Sequence, residues 1–370
     1  ALDCTGCGLC YNACPGKMGN KAIQMISPTD NDKIQKDFDW LVDNNVNSQY
    51  KFKVMNVRNE GFVRPKFEFN GSCAGCGEAP YLKNLTQVFN DNLYIANATG
   101  CSSIFGGSAP STPYSVAWAS SLFEDNAEYG LGILKGIEAK REKISKYMKN
   151  NLNSDRELFE RWISNKDNYD ICVDVYKKLD FGKHKYLNSL KDYIIPQSMW
   201  IIGGDGFAYD IGYGGLDHVL SRDDNINILV LDTEVYSNTG GQASKASQMG
   251  SISSFATSGK RGYKKDLARM AMCYPHVYVA CCNIGYNKEQ YLKAIREASL
   301  HDGPSIIIAY APCIEHGIKA GMEYSMLEGE LASSCGYFPI FRYNPDNDKF
   351  ILDSKNVDFS KYDEFLSHEN

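Results

Sequence analysis

The stretch that decides the fold runs from Ser198 to Asn238. It reads Ser198-Met-Trp-Ile-Ile-Gly-Gly-Asp205-Gly-Phe-Ala-Tyr-Asp210, then a segment of helical pattern, then Leu229-Val-Leu-Asp-Thr233-Glu-Val-Tyr-Ser-Asn238. One apolar run ends in Gly-Asp-Gly, and a second ends in a cluster of oxygen-bearing side chains. The pattern predicts a strand, helix, strand unit with polar groups at the carboxyl ends of both strands. In open parallel sheets ligands bind in the crevice at those ends. Asp205 and Thr233 are 28 residues apart in the chain yet belong on neighbouring strand tips, where they can share one hard cation. Mg²⁺ suits such a place, because it takes few protein oxygens alongside ligand phosphates.

Gly204 and Gly206 let the backbone come close to a diphosphate. The unit resembles the thiamine diphosphate motif, in which Gly-Asp-Gly precedes a metal-binding Asn by a similar interval. Here Thr233 stands where that Asn is usual. A bare Gly-Asp-Gly is more often a turn, so the argument rests on the strand-tip context.

Working outward, 370 residues with 43% hydrophobic content can bury a full core. A net charge of −6 with no basic run gives no support to nucleic-acid or anionic-membrane binding. No stretch approaches the roughly 20 apolar residues of a membrane span, and no signal-peptide pattern opens the chain. The 13 cysteines are an odd number and are clustered, which favours cluster or metal ligation in a reducing compartment over a disulfide framework.

The first group is Cys4-Thr-Gly-Cys7-Gly-Leu-Cys10-Tyr-Asn-Ala-Cys14-Pro15. This Cys-x2-Cys-x2-Cys-x3-Cys-Pro spacing wraps a [4Fe–4S] cube with Cys4, Cys7 and Cys10, while Cys14 ligates the other cluster of a pair. A zinc knuckle is the bland reading, but it has no need of the fourth Cys-Pro. No matching second motif follows, so the other half is expected upstream, on a longer polypeptide or another subunit. Residues 1–28 are read as half of a two-cluster ferredoxin-like module and residues 29–70 as an extended connector.

The second group combines Cys73-Ala-Gly-Cys76, Cys101 just past the strand beginning at Leu93, and Cys313 just past the strand Ser305 to Ala311. These sites fall on one edge of the expected sheet, so Cys73, Cys76, Cys101 and Cys313 are proposed to hold a further [4Fe–4S] cluster. A four-thiolate zinc site is the alternative, although zinc ribbons draw two Cys-x2-Cys pairs from nearby sequence. Cys172, Cys273, Cys281, Cys282 and Cys335 read as structural, with Cys281 and Cys282 pointing to opposite faces of a strand.

Elsewhere Pro113 to Pro196 reads as helical, with residues 135–196 a charged excursion from the sheet. Thr239 to Lys245 reads as a glycine-rich loop, a lid or a plain surface turn. Alternating helices and strands from Tyr263 to Tyr310 complete an α/β, doubly wound parallel sheet over residues 71–343. Residues 344–370 read as a polar tail.

A diphosphate cofactor able to take the electrons left when CO₂ departs from a 2-oxo acid, set beside iron–sulfur clusters, describes an electron-exporting enzyme. The specific wording then carries a resemblance. Cys73-Ala-Gly-Cys-Gly-Glu78, Ala98-Thr-Gly-Cys101-Ser-Ser103, Ser121-Leu-Phe-Glu-Asp-Asn-Ala-Glu128, Gly204-Asp-Gly-Phe-Ala-Tyr-Asp-Ile-Gly-Tyr-Gly-Gly-Leu-Asp217, Asp232-Thr-Glu-Val-Tyr-Ser-Asn-Thr-Gly-Gly-Gln242 and Tyr310-Ala-Pro-Cys313 resemble the carboxyl-terminal third of pyruvate:ferredoxin (flavodoxin) oxidoreductases.

The resemblance implies CoA-dependent oxidative decarboxylation of pyruvate to acetyl-CoA and CO₂, with thiamine diphosphate, Mg²⁺ and three [4Fe–4S] clusters in the complete enzyme and ferredoxin or flavodoxin as acceptor. It implies that Asp205, the Thr233 side chain and the Val235 carbonyl hold Mg²⁺. It further implies that Glu78, Cys101, Gly204, Asp205, Gly206, Phe207 and Thr233, Glu234, Val235, Tyr236, Ser237, Asn238 meet the cofactor, Asn238 also reaching the substrate. Phe207 stands where many relatives have Trp. A homodimer in the cytoplasm, or in a hydrogenosome-like organelle of a eukaryote, is implied as well. The domain that carries the aminopyrimidine-activating glutamate is missing from these residues, so the chain by itself is expected to be inactive. A fusion reducing NADP⁺, a non-oxidative thiamine diphosphate decarboxylase and a pure electron carrier are the rival readings.

Overall fold

The computed structural model describes residues 4, 6–17, 19–27, 32–44, 56–67, 70–107 and 114–368. Among them, β1 (Leu93–Ala98), β2 (Ala117–Ser121), β3 (Ser198–Gly203), β4 (Asn227–Asp232), β7 (Tyr278–Cys282), β8 (Ser305–Tyr310), β9 (Phe341–Asn344) and β10 (Lys349–Leu352) form one sheet. Val235–Tyr236 (β5) and Gln242–Ala243 (β6) pair separately. The sheet order is β10-β9-β7-β8-β4-β3-β1-β2. From β7 to β2 every pairing is parallel, and only β9 and β10 run antiparallel.

The strands are apolar on both faces because both are covered. Met199 and Ile201 of β3, Ile228 and Val230 of β4, and Ile306 and Ile308 of β8 join one buried cluster. Their alternates Trp200, Ile202, Leu229, Leu231 and Ile307 join the other. This is the period-2 signature of a sheet between two helical layers. Each fully buried Leu or Ile contributes roughly 1.5–3 kcal/mol, so the two layers account for most of the sheet's stability. Cys281 and Cys282 fall in opposite clusters.

The helices of the charged excursion close on a small core of their own, including Ile144, Phe159, Trp162, Cys172 and Ile194.

Three segments differ from the sequence reading. Ala117–Ser121 is an edge strand, not helix. Its small residues between Pro113 and the helix Asn126–Asn150 carry no strong period, and pairing with β1 decides the matter. The supposed tail supplies β10 and part of β9, which pair with each other and, through β9, with β7. Its polar look is that of an outermost strand, with Phe350 and Leu352 half exposed. In the connector, Asp32–Asn44 and Val57–Glu60 are helical rather than extended, and residues 45–55 lie outside the described residues. Of the two readings of the glycine-rich loop, the β5–β6 hairpin pairing fits the surface turn.

The topology fixes where chemistry can gather. After β1 the chain steps to β2 on one side, and β3 then lies on the other side of β1. That reversal opens a crevice at the carboxyl ends of β1 and β3.

Candidate active site

Four neighbouring strands, β1, β3, β4 and β8, each deliver one chemistry-bearing residue just beyond their carboxyl ends: Cys101, Asp205, Thr233 and Cys313. Two adjoining cavities result. One of about 310 Å³ is lined by Glu78, Cys101, Gly204, Asp205, Gly206, Phe207, Val235, Tyr236, Ser237 and Asn238, together with Phe123 and Thr99. The other, of about 220 Å³, is lined by Cys73, Cys76, Cys101 and Cys313 with Glu78, Thr233, Ser237 and Asn238. Glu78, Cys101, Ser237 and Asn238 border both.

Asp205 is buried and asymmetric. Ser244 donates to its Oδ2 at 2.6 Å, while Oδ1 is buried without a hydrogen-bond partner. Burial, with the charge of Asp232 adding to it, pushes the Asp205 carboxyl well above the usual carboxylate range. A buried oxygen left without a donor is costly, and a cation relieves that cost. The Thr233 hydroxyl donates to the Val235 carbonyl at 3.0 Å, so those two oxygens stand side by side. Val235 lines the first cavity with Asp205, whereas Thr233 lines the second.

Gly206 faces the first cavity under tight constraint. A Cβ there would lie 3.3 Å from the rings of both Phe123 and Tyr236.

The thiol cavity is built differently. Among the described residues, no group of three or more His, Cys, Asp or Glu side chains gathers as a site for a single metal ion. The four thiols instead surround a space, as a cube-shaped cluster requires. Burial pushes Cys76 up to about 12 and Cys101 up to about 11, and raises Cys313 as well. Burial therefore disfavours the thiolate form of each unless a positive charge is brought close. Backbone N–H groups already aim at them: Glu315 N–H at Cys313 Sγ, 3.5 Å, and those of Ala79 and Glu78 at Cys76. Gly77 donates to the Pro312 carbonyl at 3.0 Å, tying the Cys73–Cys76 loop to the Cys313 strand.

The two cavities touch through side chains. Cys101 Sγ lies 3.3 Å from Ser237 Oγ and 4.0 Å from Asn238 Oδ1. Glu78 stands in the shared wall, and burial pushes its carboxyl up to about 8.

The amino-terminal cysteines sit beside this edge. Asn12 donates to the Glu323 carbonyl at 3.2 Å. Cys4 and Cys7 line a cavity of about 650 Å³ together with Cys73 and Cys76. The Cys14 sulfur accepts the Ala22 N–H at 3.2 Å, and this bond holds its thiol below the ordinary cysteine value. Cys4 and Cys10 are exposed.

Glu234 is placed apart from its neighbours. It borders neither cavity, and its carboxylate is taken by Lys264 at 2.7 Å and Tyr337 at 2.5 Å. Sequence reading also missed Ser244, Lys264, Tyr337 and His316, whose Nε2 is 2.6 Å from the Thr233 carbonyl. Lys264 lies in a Lys-Lys pair that reads as ordinary surface charge, and the others carry no motif.

Residues 193–309 match the family described as thiamine pyrophosphate enzyme, C-terminal TPP binding domain. Over nearly its whole length the chain is homologous to part of the pyruvate:ferredoxin and pyruvate-flavodoxin oxidoreductases. It is 45% identical to pyruvate:ferredoxin oxidoreductase of Moorella thermoacetica over 96% of this chain and 32% of that one. Against pyruvate-flavodoxin oxidoreductase of Klebsiella pneumoniae the figures are 44%, 99% and 33%. Against pyruvate dehydrogenase [NADP(+)], mitochondrial, of Euglena gracilis they are 40%, 100% and 22%. The chain therefore spans a third or less of the length of these relatives.

Proposed function

We propose that these residues form the diphosphate-and-metal half of a thiamine site, together with the cluster that drains it, in an enzyme that oxidatively decarboxylates pyruvate with CoA to acetyl-CoA and CO₂. The observation that carries the reading is the shared wall. Cys101 belongs to the thiol cavity and also touches Ser237 of the cofactor loop. A non-oxidative decarboxylase has no use for four thiols against its cofactor loop. A pure electron carrier has no use for the bare, buried Asp205 Oδ1.

Thiamine diphosphate, when bound, supplies an electron sink beside the carboxylate that leaves. The protein's share is to hold it. Asp205, Thr233 and Val235 would anchor the metal, Gly204 to Phe207 would lie along the diphosphate, and Asn238 would reach the substrate. Glu78 and Ser237 stand in the wall between that site and the thiols. Cys73, Cys76, Cys101 and Cys313 would hold the nearest [4Fe–4S] cluster. Cys4, Cys7 and Cys10 would serve a second and Cys14 a third, the electrons leaving to ferredoxin or flavodoxin. Because relatives named for ferredoxin, flavodoxin and NADP⁺ share this stretch at 40–45% identity, we place the choice of acceptor outside it.

In the same reading the assembled enzyme is a homodimer of the cytoplasm or a hydrogenosome-like organelle. No helix of the described residues is long and apolar enough to cross a membrane.

The test is anaerobic purification of the full-length protein, with assay of iron, thiamine and pyruvate-dependent reduction of a viologen dye. The reading expects all three, CoA-dependent dye reduction, and no turnover by residues 1–370 alone. Bound zinc in place of iron, or decarboxylation with no dye reduced, would overturn it.

A further inference from the structure

We infer that Lys264, a residue outside both cavities, is the positioning residue that sets the metal-binding loop. This rests on the reading above that the loop holds Mg²⁺ and thiamine diphosphate. Asp232 and Glu234 flank Thr233, and Lys264 Nζ clamps both, at 2.8 Å from Asp232 Oδ2 and 2.7 Å from Glu234 Oε1. Every member is buried or nearly so: side-chain exposure is 17% for Lys264, 0% for Asp232 and 8% for Glu234. Tyr209 donates to Asp232 Oδ2 at 2.7 Å and Tyr337 to Glu234 Oε2 at 2.5 Å.

The clamp holds an unusual backbone. Glu234 has φ +60°, a left-handed conformation that residues other than glycine adopt reluctantly. Its N–H is held by Asp232 Oδ1 at 3.1 Å, and its carbonyl accepts from Ser247. This reversal at Glu234 brings the Val235 carbonyl back to 3.0 Å from Thr233 Oγ1. Residues 232 and 234 therefore point into the protein while 233 and 235 present oxygens toward the metal site.

Charge leads to the same conclusion. Asp232 and Glu234 lie close enough to influence each other, and the Lys264 ammonium bonds both. Burial works against the charge on Lys264, but its two carboxylate partners outweigh it and hold the proton on. Without Lys264 the two flanking carboxylates would repel each other, weakening the hold of Asp232, Ser247 and Tyr337 on the left-handed turn at Glu234.

The test uses the full-length protein, stripped of cofactor, in titrations with Mg²⁺ and thiamine diphosphate followed by calorimetry, alongside melting of the stripped protein. Lys264→Met is expected to weaken apparent affinity for both by at least about tenfold while iron content is kept. Glu234→Gly, which tolerates the left-handed turn, is expected to bind several-fold tighter than Glu234→Ala. This pair decides the matter should Lys264→Met fail to fold. Affinity of Lys264→Met within twofold of the unsubstituted protein, or equal affinities of the two Glu234 variants, would overturn the clamp. If the unsubstituted protein binds no Mg²⁺ and thiamine diphosphate, the reading of the site itself falls.

Discussion

The thiol of Cys101 lies 3.3 Å from the hydroxyl of Ser237, joining the tip of β1 to the loop that follows β4. It is the point where the thiol cavity meets the cofactor loop. Replacing Cys101 by Ser keeps this hydrogen bond but removes one of the four thiols proposed to hold the cluster. The full-length variant should bind thiamine diphosphate within a few-fold of the parent and still release CO₂ from pyruvate, while dye reduction falls by about 100-fold or more. Freeze-quench spectroscopy showing an unchanged rate of electron transfer would contradict this.

Asp205 and Ser244 offer a graded test of the metal site. Asp205→Asn places a neutral amide where the bare Oδ1 now stands and should abolish measurable Mg²⁺-dependent thiamine diphosphate binding. Ser244→Ala removes one hydrogen bond to a charged group, worth roughly 1.5–3 kcal/mol, so affinity should fall about ten- to a hundredfold. Equal binding by both variants and the parent would show that Asp205 is not the anchor.

Gly77 is a structural hinge of the thiol cavity. A Cβ there would lie 2.5 Å from the Pro312 nitrogen, so Gly77→Ala must push the Cys73–Cys76 loop away from Cys313. The variant should keep the helix and sheet content seen by circular dichroism and lose about a third to a half of its iron. A full iron complement would contradict the arrangement of the four thiols.

Lys265 gives a pH signature. Burial, followed by repulsion from Lys245, brings its ammonium down to about 8; it packs on the Tyr213 ring, 3.0 Å from the centroid. Between pH 8 and the unfolded-chain value of about 10.4, the unfolded state keeps a proton that the folded state has released. Stability therefore gains from this group as pH rises through that window. Lys265→Met should remove the gain. Brief acylation at pH 8, mapped by peptide mass spectrometry, should also label Lys265 several-fold faster than exposed lysines such as Lys146. Uniform labelling would argue against the lowered value.

Much of this was legible in the sequence because it was periodic or spaced. The apolar runs of β3, β4 and β8 predict buried parallel strands, and their polar ends place Asp205, Thr233 and Cys313 on one edge. The reading fails where tertiary pairing overrides weak local pattern. Ala117–Ser121 has no alternation of its own and becomes a strand against β1, and β9 and β10 look like a tail until they close the sheet. Glu234 sits within the cofactor motif, but its left-handed φ turns its side chain toward Lys264. Lys264 could not be found beforehand, because a lysine 30 residues from its partner leaves no local trace.

The central claim is that a thiamine site and an iron–sulfur cluster share a wall. The most direct measurement is electron paramagnetic resonance of the reduced full-length protein in which Cys4, Cys7, Cys10 and Cys14 are changed to Ser, with iron assayed in parallel. The account predicts a [4Fe–4S] signal that survives in this variant, about four irons per chain that are lost on adding Cys313→Ser, and a spectrum of that cluster altered by Mg²⁺ with thiamine diphosphate. No iron in the fourfold variant, or a spectrum indifferent to the cofactor, would contradict it.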